Sequence, residues 1–382
     1  LTGSVSSLSS KAIENVPVVN VAEAMSGKLA GVNVTTSEGS PDAEINIRVR
    51  GGGSITQEST PLYIVDGFPV SSISDISPAD IQSIDVLKDG SAAAIYGTRA
   101  NAGVILITTK RGSKDGKFHA EYNGSVNTAV MADAPRVLTA DEYRQYMVAA
   151  GRGTDMGGNT DWMKAITRTP VSHTHNVSIS GGTENFNFRA SAGYRGLQGM
   201  VINSDFQEIN ARFAANQKTL NKRLELAYDF SYTSIDKKWA NYDNLNQAIR
   251  ANPTMPVKYD PEKDKDNPKF NKYGGYYESD NFYSWNPVAN IMQSTKDQKD
   301  QVIMGSARAT LNIIEGLKFS TFYSIRNNHT WNGEYYLSTI RGDRFGEGKG
   351  GKAKQSYGAY TQQVIENTLN YINEWNGHAF QA

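Results

Sequence analysis

Apolar and polar residues alternate along most of the chain after residue 117, which predicts a series of antiparallel β-strands. From Phe118 to Val126 every second residue is apolar or glycine, and every residue between them is polar or charged. A period of two places successive side chains on opposite faces of a strand. The same alternation returns along the chain, and we count about eight strands. The further segments lie near 173–179, 186–195, 206–213, 223–232, 303–313, 317–326 and 365–371.

The connections between these strands fall into two kinds. Short turns at 181–183 and 314–316 contrast with three long loops, predicted at about 129–170, 237–296 and 331–353. The first loop contains a predicted helix from Ala140 to Ala150. Strands of about ten residues with short turns at one end and long loops at the other are typical of an outer-membrane barrel.

A soluble antiparallel sheet with one face packed on a core is the alternative explanation of this pattern. The polar faces favour the barrel, because charged residues stand there among apolar neighbours, as a watery lumen would allow. These residues are Arg189, Arg195, Arg212, Glu225, Asp229, Arg308 and Arg326.

The first 112 residues have a mixed pattern that predicts a small α+β domain. A short helix is expected from Val19 to Leu29, with Gly31 ending it. Ile45 to Arg50 alternates like a half-buried strand, and Pro61 to Val65 forms another strand. Asp66–Gly67 then makes a tight turn.

The block from Ile81 to Gly112 predicts a strand, a short helix and a closing strand, without a catalytic constellation. The first strand ends at a turn over Lys88–Gly90, and the helix runs from Ser91 to Tyr96. Gly97 and Gly103 bracket a turn that contains Arg99 and Asn101. The apolar, β-branched run from Val104 to Thr109 predicts a strand buried on both faces.

Composition excludes several classes of protein. The 39 basic and 39 acidic residues give zero net charge, so no overall nucleic-acid footprint is present. The absence of cysteine excludes disulfides, thiolate metal sites and thiol nucleophiles. No apolar run of about 18 residues exists that could form a transmembrane helix, whereas barrel strands need no such run.

Four segments resemble the plug domain of SusC/RagA-type TonB-dependent outer-membrane transporters, in order and spacing as well as content. They are Asn20–Val34, Ile45–Ile55, Pro61–Val70 and Ile81–Gly112. The hairpin from His175 to Tyr194 and the segment from Glu366 to Phe380 resemble early barrel strands of that family. The plug signature comprises Arg48, Arg50, Gly51, Gly53, Asp66, Gly67, Lys88, Asp89, Tyr96, Gly97, Arg99, Asn101 and Gly103.

The resemblance implies a plug domain at 1–112, followed at 113–382 by the N-terminal portion of a transmembrane β-barrel. About eight of roughly 22 antiparallel strands would be present. The TonB-contacting segment would lie before Leu1, so we expect the chain to be part of a longer protein.

The implied function is TonB-dependent import of a large nutrient, an oligosaccharide or oligopeptide, across the bacterial outer membrane. A SusD-like surface lipoprotein would act as a lid, TonB would supply energy, and lipid would surround the barrel. No catalytic residue, cofactor, metal or nucleic acid is expected. A plugged surface receptor or adhesin without transport is the alternative, and a soluble glycan-processing enzyme would need a paired-carboxylate cleft that does not stand out.

Several motifs have both a functional and an ordinary interpretation. Gly112 to Lys117 is one residue short of a phosphate loop, which favours a linker. Arg48, Arg50 and Arg99 resemble buried plug cations that pair with wall carboxylates, or they are simply solvated. His173 and His175 share one strand face and either bind a metal or occupy an ordinary position.

Two features of the longest loop also allow two interpretations. An acidic stretch (Asp260, Asp264, Asp266 and Asn267) faintly suggests calcium but lacks the signature spacing, so a solvated loop is favoured. An aromatic cluster either contacts substrate or lid, or belongs to the interfacial girdle of a barrel. Its members are Trp239, Tyr242, Tyr273, Tyr276, Tyr277, Tyr283 and Trp285.

Overall fold

The structure, a computed structural model, consists of a small α+β domain packed against one face of a large antiparallel sheet. We call these two parts the plug and the wall. No helix in the described residues is long and apolar enough to cross a membrane. The structure describes residues 5–14, 21–36, 40–41, 43, 45–49, 60–88, 94–281, 284–342, 347, 350–375 and 378–381.

The described part of the plug contains a five-stranded sheet in the order β1-β6-β7-β4-β5 and a separate β2–β3 hairpin. β4 and β7 are parallel, and the other pairs are antiparallel. The strands are β1 (Val5–Ser9), β2 (Val32–Thr36), β3 (Ile45–Val49), β4 (Leu62–Val65), β5 (Phe68–Val70), β6 (Ile81–Leu87) and β7 (Val104–Thr109).

β7 lies at the centre of the plug sheet, which explains its apolar sequence. Val104 and Ile105 are fully buried, as predicted for a strand covered on both faces. Helices α1 (Ser10–Glu14) and α2 (Val21–Met25) are short, so the predicted helix at Val19–Leu29 is wrong in its length. The predicted helix after β6 is a 3₁₀ segment over Ala94–Ala100 in its described part, interrupted at Gly97.

The plug core is closed on one side by the wall. Phe68, Met25 and Ile84 are fully buried in one hydrophobic cluster, and Phe322 of the wall belongs to the same cluster. Met304 and Val364, also from the wall, pack against it. Because burial of apolar surface contributes about 25 cal/mol per Å², the plug depends on the wall for part of its stability.

The wall is a meander in which each strand pairs with its sequence neighbours. Eight long strands are described, as predicted, followed by the short β16. They are β8 (His119–Thr128), β9 (Val171–Gly182), β10 (Phe186–Gln198), β11 (Asp205–Thr219), β12 (Leu224–Lys238), β13 (Ser294–Ile314), β14 (Leu317–Tyr336), β15 (Lys352–Trp375) and β16 (His378–Gln381).

Four wall strands extend into ranges that were predicted as loops, and one of them is β12, which ends at Lys238. β13 begins at Ser294, β14 continues to Tyr336 and β15 begins at Lys352, so the long loops are 239–293 and 337–351. The residues at the start of β13 are polar on both faces and therefore show no alternation, whereas β14 ends with Trp331, Tyr335 and Tyr336. Backbone pairing alone continues the strands there.

The two faces of the wall differ in chemistry, as the alternation predicts. One face, which we call the inner face, packs on the plug and carries the charged residues. The opposite, outer face has rows of apolar side chains in register across neighbouring strands. One such row is Phe188, Ala215, Tyr228, Ala307, Tyr323 and Ile365.

The long connections lie together at one end of the wall, which we call the loop end. They contain α3 (Ala140–Tyr143), continued by a π-helix over Arg144–Val148, and four further helices. These are α4 (Trp162–Ile166), α5 (Asp243–Arg250), α6 (Pro268–Lys272) and α7 (Pro287–Met292). Trp162, Val201, Met255 and Ile291 join three of the connections in one buried cluster.

Candidate functional site: the contact between plug and wall

Asp66, in the tight turn between β4 and β5, is the centre of the contact between plug and wall. Its carboxylate accepts hydrogen bonds from the backbone N–H of Thr109 at 3.1 Å and from the Thr109 hydroxyl at 2.6 Å. Its φ of 49° is a left-handed conformation, which Asp tolerates in such turns. The turn and the end of β7 therefore fix the carboxylate in one orientation.

Two arginines reach this carboxylate. Arg212 of β11 donates to Asp66 at 2.7 Å and to Asp229 of β12 at 2.7 Å. Arg111, directly after β7, donates to Asp229 at 2.7 Å and lies 3.6 Å from Asp66. Two cations and two carboxylates thus alternate, and the side chain of Asp66 is only 7% exposed. We call these four residues the central network.

Two further ion pairs join the segment before β6 to the wall. Asp75 lies 3.0 Å from Arg326 of β14, and Asp80 lies 3.6 Å from Arg189 of β10. All four side chains are at most 10% exposed. The Asp80 pair is too long for a direct hydrogen bond, so it is an electrostatic contact.

Backbone carbonyls of the plug accept further hydrogen bonds from the wall. Arg195 donates to Ser74 O at 3.1 Å and also pairs with buried Glu208 on the neighbouring strand. Thr233 donates to Asp75 O at 3.3 Å, and Gln362 donates to Pro69 O at 3.2 Å. The wall therefore recognises the path of the plug chain as well as its charges.

The linker from plug to wall passes unusually close to β10. A Cβ added at Gly112 would lie 2.4 Å from the backbone nitrogen of Phe188, which only glycine avoids. At Gly67, where φ is 93°, an added Cβ would meet only the end of the Arg308 side chain, with Nη2 at 3.0 Å. Arg308 itself covers the ring of Phe322 at 4.3 Å.

A cavity of about 490 Å³ separates the plug from the wall toward the loop end. Hydroxyl and amide groups of the plug, including those of Ser72 and Asn46, line one side. Arg195, Phe206 and Lys237 line the other. Such a lining offers hydrogen bonds to a polar ligand and one ring for an apolar contact.

The loop end carries its own ion pair between two connections. Glu278 accepts the backbone N–H of Asn286 at 3.2 Å and lies 3.1 Å from Arg341. Burial raises the pKa of Glu278 to about 7, against the opposing effects of the Asn286 N–H and of Arg341. The carboxyl therefore changes charge near neutral pH.

Burial and solvation were the two alternatives for the plug arginines. Arg48 on β3 and Arg99 are exposed in the part of the protein that the structure describes, as the solvated alternative expects. Three of the ion pairs described above have a cation on the wall and a carboxylate on the plug, whereas Arg111 of the plug pairs with the wall carboxylate Asp229 in the predicted polarity. The missed plug residues are Asp75 and Asp80, which stand outside any recognisable motif.

The other signature residues have structural contacts or lie outside the described residues. Lys88 contacts Ser6, and Tyr96 packs against the buried cluster that contains Ile64 and Val104. Gly103, at φ 93°, lies against Val49, with 3.1 Å from an added Cβ to the valine side chain. Asn101 lies in the turn before it. Arg50, Gly51, Gly53 and Asp89 lie outside the described residues.

The predicted aromatic cluster does not form one continuous platform in the described residues. Tyr242 and Tyr277 pack against the buried cluster of the loop end. Trp285 donates to Asn244 at 3.2 Å, and Tyr276 lies under Lys258. Trp239 is 42% exposed. Tyr273 is buried, and Tyr283 lies outside the described residues.

The histidine and acidic motifs show no metal site in the part of the chain that the structure describes. His173 and His175 lie on the outer face of the wall beside Tyr194 and Tyr122. Asp260 accepts hydrogen bonds from nearby backbone N–H groups, as a solvated loop would.

Comparison with known proteins agrees with this geometry. The family model of the TonB-dependent Receptor Plug Domain matches residues 1–104. The TonB-dependent receptor SusC of Bacteroides thetaiotaomicron is 35% identical over 274 residues, covering 67% of this chain and 27% of SusC. The TonB-dependent receptor P3 of Formosa agariphila is 30% identical over 388 residues, covering 99% of this chain and 37% of P3. The chain therefore spans roughly a third of the length of these relatives.

Solved structures show the same fold. The RagAB peptide importer in the closed-closed state matches with a TM-score of 0.81 and 22% identity, covering 98% of this chain and 46% of that one. The unliganded ferric citrate transporter FecA matches with a TM-score of 0.60 and 14% identity, covering 100% of this chain and 46% of the FecA chain.

An α+β domain held by ion pairs against the polar face of a β-meander defines a plugged-barrel receptor. Within this class, the chain belongs to the SusC/RagA family of TonB-dependent receptors.

Proposed function

We propose that the protein imports a large nutrient, an oligosaccharide or oligopeptide, across the bacterial outer membrane in a TonB-dependent manner. The observation that carries the proposal is the central network of Asp66, Arg111, Arg212 and Asp229. It holds the plug against the wall through ionic contacts that separate and re-form without covalent chemistry.

The energetics of buried ion pairs suit a plug that must move. The attraction within such a pair is offset by the cost of removing both charges from water, so its net contribution to stability is small. When the plug is displaced and water enters, all four groups are solvated again. The pairs therefore fix the orientation of the plug while leaving its displacement possible under an applied force.

The loop end would face the cell exterior, because long loops of outer-membrane barrels are extracellular and short turns are periplasmic. A SusD-like lipoprotein would cover this end, and lipid would surround the apolar outer face. Cargo would enter toward the cavity between Ser72 and Lys237. Contacts to cargo or lid are proposed for Trp239, Tyr242, Tyr276, Tyr277, Tyr283 and Trp285.

Uptake of a labelled oligomer by cells with and without TonB tests the proposal. Accumulation should depend on TonB, and the oligomer should arrive intact because no catalytic step is involved. Binding at the surface without accumulation in either strain would instead support a receptor or adhesin. Accumulation that persists without TonB would contradict the import mechanism.

A further inference from the structure

A polar cleft lies on the outer face of the wall, between the apolar rows and the loop end. Gln207, Asp236, Lys299, Trp331 and Tyr357 form one register row across β11 to β15. Asp205, Lys238, Asp297, Gly333 and Gln355 form the next row. Along each strand, both rows lie an even number of residues from the apolar row that contains Tyr228, so their side chains point to the same outer face.

The cleft between these rows has a volume of about 810 Å³. Gly333 contributes to its depth, since nothing lies within 4 Å of a Cβ added there. Lys238 and Asp297 are directly opposed, as are Asp236 and Lys299, yet neither of these two described pairs forms an ion pair. Two ammonium and two carboxylate groups are therefore available to a ligand.

The aromatic wall of the cleft is fixed by internal contacts. The ring centroids of Trp331 and Tyr357 are 5.2 Å apart, and His329 stacks on Trp331 with a centroid distance of 5.9 Å. The Tyr357 hydroxyl is hydrogen-bonded to His329 Nδ1 at 2.5 Å. An immobilised indole beside carboxylates, an amide and lysines suits a sugar ring with an attached anionic group.

We propose that this cleft binds the phosphorylated sugar headgroup of a glycolipid in the outer leaflet of the membrane. The sugar ring stacks on Trp331, its hydroxyls contact Asp236, Asp297 and Gln355, and the phosphate contacts Lys238 and Lys299. This inference rests on the outer-membrane location proposed above.

The position of the cleft argues for a lipid-attached sugar. Tyr232 and Ile303 lie four residues along each strand from Asp236 and Lys299, in a register row that is apolar on β11 to β13 and polar on β14 and β15, at Asn327 and Thr361. At a rise of about 3.4 Å per residue, the apolar side chains of β11 to β13 lie roughly 14 Å away along the strand, within reach of acyl chains below the headgroup. Aromatic residues of outer-membrane barrels also stand at this level.

Retention of lipid by the purified intact transporter tests the proposal. Native mass spectrometry in detergent would measure binding of a rough-form lipopolysaccharide to the parent protein, to the double variant Lys238→Gln/Lys299→Gln and to Trp331→Leu. Both variants should retain at least about tenfold less glycolipid. Tyr194→Leu is the matched control, because Tyr194 lies on the same outer face beside His173 but away from the charged rows. It should retain glycolipid like the parent.

Two additional ligands distinguish a lipid-attached sugar from a phospholipid and from a free oligosaccharide. Phosphatidylglycerol should bind all variants alike, and the deacylated oligosaccharide should bind much more weakly than the glycolipid. Equal glycolipid retention by parent and cleft variants, or equally tight binding of the free oligosaccharide, would overturn the proposal. TonB-dependent uptake measured in the same variants should persist, so a failure of lipid binding is distinguishable from a failure of the import function.

Discussion

Arg212 on the wall donates to Asp66 on the plug at 2.7 Å, across 146 positions of sequence. The same guanidinium group holds Asp229 of the neighbouring wall strand. One cation therefore bridges the plug and the wall. Because both carboxylates are almost fully buried, the arginine also neutralises charges that would otherwise be unpaired.

Replacing Arg212 by Met should loosen the plug. After the change, Arg111 is the one arginine of the central network left to neutralise both Asp66 and Asp229. Loss of one partner of a buried ion pair typically lowers the free energy of unfolding by about 3–5 kcal/mol. Hydrogen exchange of the β4–β5 hairpin should accelerate accordingly. Lys222→Met is the control, because its pair with Glu184 is exposed and contributes little. Equal exchange in both variants would contradict this role of Arg212.

Asp75 and Arg326 should be energetically coupled. The variants Asp75→Asn and Arg326→Gln and their combination form a double-mutant cycle, and residues in direct contact show couplings of about 0.5–3 kcal/mol. Plug stability against denaturant, followed by hydrogen exchange at β6, measures the coupling. Additive effects would show that the 3.0 Å contact contributes nothing to plug retention.

Gly112→Ala should prevent the linker from seating against β10. The new methyl group would overlap the backbone of Phe188, at 2.4 Å from its nitrogen, and backbone cannot move aside as a side chain can. We expect a loss of at least about 2 kcal/mol in plug stability, as for other overpacked sites. Gly358→Ala is the control, because nothing lies within 4 Å of its added Cβ. A stability equal to that control would refute the close approach.

The segment around Glu278 should become less stable as pH rises from acid toward neutrality. The carboxyl has a pKa of about 7 in the folded loop against 4.5 as its ordinary value. A raised folded pKa contributes stability that is fully present below 4.5 and is lost above 7, at most about 3 kcal/mol. Hydrogen exchange at 276–290, corrected for intrinsic rates, should accelerate as pH rises from 4.5 to 7 and level off above 7. Glu278→Gln should remove this pH dependence, and its persistence in that variant would contradict the assignment.

The sequence predicted the fold well where a local pattern determines structure. Alternation separates Tyr228 and Ala307 from Asp229 and Arg308, and the Asp66–Gly67 pair predicts its turn. Polar residues on both faces concealed the start of β13, because such a segment has no period of two in its side chains even though its backbone is paired.

The partners of the central network could not be predicted in the same way. Arg212 meets Asp66 only because the β4–β5 turn, the end of β7 and the register of β11 coincide in space. The resemblance to a family directed attention to Arg48 and Arg99, which are exposed. Which charged side chains meet across the contact thus depends on tertiary packing, which sequence periodicity does not encode.

The central claim is that the plug must leave the wall during import. The absence of cysteine allows a cysteine pair to be placed at Ser74 and Thr233, where the wall contacts the plug chain, and joined by a short reducible linker. A cysteine pair at Thr310 and Ser320 is the matched control, because both residues lie on the wall and their hydroxyl oxygens are 2.8 Å apart.

Uptake of the labelled oligomer before and after linking is the decisive measurement. The account predicts that the plug–wall link abolishes TonB-dependent uptake and that reduction restores it, while the wall–wall link has no effect. Uptake that continues unchanged with the plug linked to the wall would contradict the account.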